Sequence, residues 1–271
     1  MVLAKRSLSQ NFLVDHNLRR KLVELLDAGP GDTVVELGPG HGELSELLVG
    51  RVRRLVLVEK DDRLAPLLND RWGDRSDVVI VHGDALTEDL SSLAGLPPVR
   101  LVSNVPYAIT SPLIFRMLDV EPTPTRIVVL VQEEVARRIT ASPGGKAYGA
   151  LSIGVQTRAR VRLAFRVGRK AFRPVPGVDS AAVIMEPIVG IPRDRIEATR
   201  ALARAAFSRR RKQLGTILRT APEFGLAAEE AAAVAGALGI DLSMRPETIP
   251  PEPFAELAWS LRQLVRNREG G

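Results

Sequence analysis

The chain has no cysteine, three histidines and few aromatics, 4% of its 271 residues. Without thiols there are no disulfides and no thiolate metal sites, and His16, His41 and His82 are too scattered to form a zinc site by spacing alone. No metal is expected. No apolar run approaches the ~18 residues of a membrane span, and the N-terminus carries Lys5 and Arg6 without an apolar signal region. These absences give the expectation of a cytoplasmic protein with no membrane partner. What the chain does have is a hydrophobic content of 45%, enough over this length for one large domain and a smaller one. Its net charge of +6 suggests a polyanionic partner. Between Arg193 and Arg219 there are nine Lys/Arg against Asp194 and Glu197, a local excess of seven, so the rest of the chain nets about minus one.

Hydrophobic periodicity predicts an amphipathic helix through Leu18, Leu22, Leu25 and Leu26, ended by Gly29-Pro30-Gly31. Strands are predicted at Thr33 to Leu37, Leu55 to Glu59, Val78 to His82, Val99 to Ser103 and Ile127 to Val131. Helices should start near Glu43, Asp61 and Ser111, the last with Pro112 in its first turn. This alternation indicates an α/β fold with a parallel sheet covered on both faces. Leu151 to Thr157 and Ala181 to Met185 read as two later strands forming an antiparallel edge. From Ile196 onward the pattern is helical, with an Ala-rich helix over Ala227 to Ala237 and a tail from Arg266 to Gly271 expected to fray. The domain boundary falls near Pro187 to Pro192, giving domains 1–190 and 191–271.

The run Glu36-Leu37-Gly38-Pro39-Gly40-His41-Gly42 follows the first long strand. A glycine turn at a strand's carboxyl end brings backbone N–H groups and a helix N-terminus to the edge where open α/β sheets bind ligands. Alone, this GxGxG spacing could be no more than a tight turn. Glu59 ends the next strand, where a carboxylate can accept both hydroxyls of a ribose. Asp84, after the third strand, can accept from an adenine amino group, although a loop aspartate is more often a turn or cap residue. After the fourth comes Asn104-Val105-Pro106-Tyr107. The ordered series is more specific than any member, and it points to S-adenosyl-L-methionine.

The tetrapeptide supplies a side-chain amide, a carbonyl fixed by proline and an aromatic face, which suit a planar base with an exocyclic NH2. Asn104 and the Pro106 carbonyl, both acceptors, can bind the two amino hydrogens and aim the nitrogen lone pair at a sulfonium methyl for in-line transfer. Tyr107 would stack on the base, a contact worth roughly 1–3 kcal/mol in comparable sites. Phe172 is either the other wall of that pocket or a core anchor for its loop. No ionisable general base, metal or covalent enzyme intermediate is expected. An adenine inside a helix cannot reach such a pocket, so the target is single-stranded, in a loop or flipped out.

Ser9-Gln10-Asn11-Phe12-Leu13, Glu36 to Gly42, Asn104 to Tyr107, Lys146-Ala147-Tyr148-Gly149 and Phe172 to Ser180 together resemble the ribosomal RNA adenine dimethyltransferases over nearly the whole chain. That superfamily comprises the KsgA type, acting on two adjacent adenines near the 3′ end of 16S rRNA in the small subunit, and the Erm type, acting on one large-subunit adenine with macrolide resistance as the result. Tyr107 to Pro112, Lys146 to Gly149, Phe207 to Lys212 and Arg245-Pro246-Glu247-Thr248 are more similar to the KsgA branch, whereas Ser9 before Gln10 also occurs on the Erm side.

The resemblance implies a Rossmann-like methyltransferase fold, with a seven-stranded mostly parallel sheet and a small all-α C-terminal domain. It also implies S-adenosyl-L-methionine contacts from Asn11, Leu13, Gly38, Glu59, Asp84 and Asn104. Gly40 belongs to the same turn, and Gln10 should line the same mouth; Asn11 could instead cap the first helix.

Wheel geometry puts Ala203, Phe207, Leu214, Ile217 and Leu218 on one arc of a helix and Arg200, Arg204, Ser208, Arg211 and Arg219 on another. Arg210 falls on the apolar arc, so it pairs with an acid or the helix bends. Arg204, Arg209, Arg211 and Lys212 are candidates for RNA phosphates, with Arg137 and Arg138 extending the positive path. The expected protein is thus a monomeric 16S rRNA dimethyltransferase in ribosome biogenesis. Its alternatives are an Erm-type 23S enzyme, a non-catalytic RNA-binding assembly factor, or, more remotely, a nicotinamide dehydrogenase.

Overall fold

A computed structural model of the chain describes residues 10–220 and 228–269. The readings made on Ser9, Ala227 and the last two residues lie outside them.

In chain order the elements are β1 (Phe12–Leu13), α1 (His16–Leu26), β2 (Thr33–Leu37), α2 (Ser45–Leu48), β3 (Arg54–Glu59), α3 (Leu64–Trp72), β4 (Val78–His82), α4 (Leu90–Ala94), β5 (Val99–Asn104) and α5 (Thr110–Leu118). They continue with β6 (Arg126–Gln132), α6 (Glu133–Ile139), α7 (Ala150–Gln156), β7 (Ala159–Val167), β8 (Phe172–Arg173), β9 (Ser180–Pro187), α8 (Arg193–Ser208), α9 (Leu214–Thr220), α10 (Ala228–Ala237) and α11 (Pro251–Glu269). Residues up to Ala136 together with Arg160–Pro187 form one compact unit; Arg137–Ala159 and the chain from Ile188 form a second. A single cut near residue 190 therefore misplaces 137–159, which pack with the later helices.

The first unit carries a seven-stranded sheet in the order β4-β3-β2-β5-β6-β9-β7. The β4-β3-β2-β5-β6 ladders are parallel and β9 runs antiparallel to β6. All five residues of β2 are buried, as are the five central residues of β6, because helices cover both faces of a parallel sheet. From β2 the chain steps outward to β3 and β4, then returns to β5 on β2's other side. The carboxyl ends of β2 and β5 thus flank the topological switch point, where open α/β sheets leave a crevice.

Asp15 caps α1 by accepting from the N–H groups of Asn17 and Leu18, and the helix stops at Asp27 in a left-handed conformation, two residues before Gly29. The predicted strand over Leu151 to Thr157 is instead α7; a short apolar run does not separate a buried strand from a buried helix. The missing strand is β7, where Arg160, Arg162 and Arg166 alternate with less exposed residues.

In the second unit Tyr148, Leu202, Ala206, Ile217, Phe254 and Leu257 belong to one buried cluster. The single helix expected through residue 219 is two: α8 ends at Ser208 and α9 starts at Leu214. Both ways of accommodating Arg210 are used. The chain bends there, and the Arg210 guanidinium donates to the Lys146 and Gly145 carbonyls (2.9 and 3.3 Å) with Glu247 3.9 Å away. The helix α11 persists to Glu269, well into the stretch expected to fray.

Candidate active site

The turn after β2 is built by backbone that only glycine adopts readily: Gly38, Gly40 and Gly42 have φ of 71°, 63° and 83°. A Cβ on Gly42 would stand 2.5 Å from the Trp72 ring, so the turn is pressed against α3. A Cβ on Gly38 would meet nothing within 4 Å, which leaves its backbone open to the cleft it lines. Glu59, at the end of β3, fastens this turn: its two carboxylate oxygens accept from the N–H groups of Gly40 (2.9 Å) and Asp61 (2.8 Å). Burial raises the Glu59 pKa, opposed by these hydrogen bonds. Asp61 in turn accepts from Gln10 Nε2 (3.0 Å) and pairs with Arg63 at 2.7 Å, which holds its carboxyl well below the usual carboxylate range. Asp84 pairs with Lys60 at 2.6 Å and its pKa is lowered by that ammonium.

The cleft holds about 1050 Å³ of empty space up to its open mouth, and residues after β2, β3, β4 and β5 all line it. Across it lies the end of β5. The Asn104 amide nitrogen donates to the Asn11 carbonyl at 2.8 Å. A carbonyl can only accept, so this bond fixes the amide's orientation and leaves Oδ1 as the free acceptor. The Pro106 carbonyl accepts from the Ile109 N–H at 3.1 Å; the Thr110 hydroxyl stands 3.4 Å from it and 3.2 Å from the Tyr107 carbonyl, and its single hydrogen, given to Tyr107, leaves the second Pro106 lone pair open. Tyr107, half-buried, hydrogen-bonds through its hydroxyl to Ser180 Oγ at 2.9 Å, and burial raises its pKa.

Of the residues expected here, the cleft gathers Gln10, Asn11, Gly38, Gly40, Glu59, Asp84 and, on the far wall, Asn104, Pro106 and Tyr107. Two do not join them. Leu13 and Phe172 sit opposite each other in the β1–β8 ladder, and both side chains are buried in the core. Phe172, whose segment forms β8, is fully buried in the core cluster and is not among the residues that line the cleft. The candidate RNA-contacting residues Arg137, Arg138, Arg204, Arg209, Arg211 and Lys212 are all exposed and all lie in the second unit. Sequence reasoning passed over Asp61, Ser180 and Glu36. The acidic pair at 59 and 61 could have flagged Asp61; nothing local marks Ser180, which matters only through Tyr107. Glu36 is fully buried, accepts from Ser45 Oγ at 2.6 Å, and has its pKa pushed up to about 8 by burial, with Glu43 and Glu59 adding repulsion.

Residues 1–258 match the family model described as ribosomal RNA adenine dimethylase. The chain belongs to that family. It is accordingly an S-adenosylmethionine-dependent methyltransferase that binds rRNA. Similar proteins include the ribosomal RNA small subunit methyltransferase A of Chlorobium phaeobacteroides, 41% identical over 79% of this chain and 78% of that one. The protein of the same name from Phenylobacterium zucineum is 39% identical over 96% and 90%. Among solved structures, a dimethyladenosine transferase from Plasmodium falciparum superposes with a TM-score of 0.79 at 22% identity, covering 93% of this chain and 98% of that one, and shares the fold. The 23S rRNA methyltransferase ErmE gives 0.69 at 25% identity, covering 93% and 100%.

The cleft's chemistry fits the donor of this family. Carboxylates at Glu59 and Asp84 offer acceptors for hydroxyl and amino hydrogens, and the open Gly38 backbone leaves space at the end of β2. Among the described residues no cluster could hold a metal ion.

Proposed function

We propose that this protein dimethylates, at N6, two adjacent adenines near the 3′ end of 16S rRNA in the small ribosomal subunit, as a monomer acting in the cytoplasm during ribosome biogenesis. The observation that carries the reading is the locked amide of Asn104, its Oδ1 left to accept, on a residue that lines the switch-point cleft together with Pro106. When bound, S-adenosylmethionine supplies a methyl group on a positively charged sulfur. Everything else is alignment by this chain. The turn at Gly38 and Gly40, with Gln10, Asn11, Glu59 and Asp84, holds the donor. Asn104 Oδ1 and the Pro106 carbonyl take the amino hydrogens of the target base, and Tyr107 stacks against its ring.

Two acceptors also suit a second round. After one methylation a single N–H remains, so one acceptor is released, and the Pro106 carbonyl, which keeps the Ile109 N–H and has the Thr110 hydroxyl within reach, is the one that can be left. The second unit, with Arg204, Arg209, Arg211, Lys212, Arg137 and Arg138 exposed, binds rRNA phosphates and orients the particle.

Two curated relatives at 39 and 41% identity carry the small-subunit name, which favours that substrate over the large-subunit one. The test is transfer of labelled methyl to small subunits lacking the dimethyladenosines, beside deproteinised 23S rRNA, with nucleoside analysis. Dimethyladenosine on the small subunit supports the reading. Label confined to 23S rRNA refutes it in favour of Erm-type activity, and binding without label on either RNA reduces the protein to an assembly factor.

A further inference from the structure

The strongest unassigned feature is a second basic run. Residues 158–173 contain six arginines, one lysine and no acid, an excess of seven. With the equal excess over 193–219 also set aside, the whole chain's +6 leaves a remainder of −8. Net positive charge is thus concentrated in two stretches, and from Arg160 onward the first of them lies in the sheet-bearing unit.

Arg160, Arg162 and Arg166 are alternate residues of β7, the outermost strand of the sheet, so they share one face, and all three are exposed. Val161, Leu163 and Phe165 on the other face are partly buried. Arg169 and Lys170 in the turn beyond, and Arg173 in β8, are exposed too. The acids nearby are few: Glu133 pairs with Arg166 at 3.0 Å, and Asp179 accepts from the Arg169 backbone N–H at 2.8 Å. Among the described residues Arg160 and Arg162 form no ion pair. Keeping an edge strand from aggregating needs only a charge or two, for which lysine serves. A one-sign row this long repels itself, and arginine's planar fork matches phosphate oxygens in pairs.

The row also leads to the chemistry. Arg173 in β8 is in register with Phe12, which lines the cleft, and β9 begins with Ser180, the hydroxyl partner of Tyr107. We propose that the exposed face of β7 and the turn after it form a second RNA-backbone track, on the sheet-bearing unit itself, that guides the strand carrying the target adenine to the cleft. This rests on the rRNA-methylating reading above. It assigns a role to residues outside both the cleft and the second unit.

The test uses the full-length Arg160→Gln/Arg162→Gln double variant, with small subunits lacking the dimethyladenosines as substrate. The slope of log affinity against log salt should become shallower by about 1.4–1.8, the loss of two phosphate contacts at 0.7–0.9 each. KM for RNA should rise with kcat, donor affinity and melting temperature unchanged. A matched Arg20→Gln/Arg51→Gln variant, losing the same charge from two other exposed arginines, should keep the wild-type slope. An unaltered slope in the β7 variant, or an equal change in the control, overturns the track. If the wild type binds RNA but methylates none, the enzymatic reading fails while the salt slopes still decide the track.

Discussion

Replacing Glu36 with glutamine should remove a large pH dependence from the stability of this protein. The wild-type carboxyl, 2% exposed near the end of β2, is pushed from 4.5 up to about 8, chiefly by burial and further by Glu43 and Glu59. An unfolded chain gives up this proton near pH 4.5, whereas the folded protein keeps it until about pH 8. Between those values the unfolded state binds fewer protons, so stability is greatest below the window and falls as pH rises through it, at up to about 1.4 kcal/mol per pH unit. The window is about 3.5 units wide, which sets a ceiling of about 5 kcal/mol. Glutamine retains the shape and an acceptor for Ser45 Oγ but never ionises. The assay is urea unfolding of both proteins at intervals from pH 5 to 9. Groups common to the two cancel in the difference, which should move steadily in favour of Glu36→Gln and level off above about pH 8. A difference that stays flat across the range would show that Glu36 is not held protonated and would refute the argument.

Asn104→Ala should lower kcat for methyl transfer by about a hundredfold, the scale of a misplaced reacting group, while RNA affinity in filter binding stays within about twofold of wild type. Equal loss of both would remove Asn104 from the role given to it. Gly42→Ala combines a φ of 83° with a Cβ 2.5 Å from Trp72 and should cost about 2–4 kcal/mol in thermal unfolding; Gly38→Ala, strained but unobstructed, should cost about 1–2. Similar losses at the two positions would contradict the packing described for the turn. In the second unit, Tyr148→Phe removes a fully buried hydroxyl that donates to the Ile249 carbonyl at 2.9 Å and should destabilise by about 1–3 kcal/mol; calorimetry showing no change would mean that the carbonyl finds another donor.

Most of the cleft was legible because its parts recur at fixed places in the chain. Gly38, Glu59, Asp84 and Asn104 each stand at or just past the end of a strand, and parallel strands bring those ends to one edge. What could not be read depends on pairing between distant segments. Phe172 looks equally suited to a pocket wall or to a core until β8 is seen to pair with β1. The strand β7 escapes notice because its arginines break the apolar runs that mark buried strands, and Leu151 to Gln156 carries such a run while folding as a helix. The break between α8 and α9 was signalled by Arg210 alone, a cation on an apolar arc.

The bond from Asn104 to the Asn11 carbonyl bears on how the protein is made. Asn11 adjoins β1, and β1 is completed only by β8, at Phe172 and Arg173. During synthesis the cofactor turn and the Asn104 loop both leave the ribosome long before residue 173 does. Domains fold as units, and pairings between remote segments form late because loop closure must come first. The part-made chain can thus assemble its central strands early while its methylating amide has no fixed direction. Competence arrives at once, when β8 closes over β1, so the part-made chain is inert until the residues beyond Arg173 have been added.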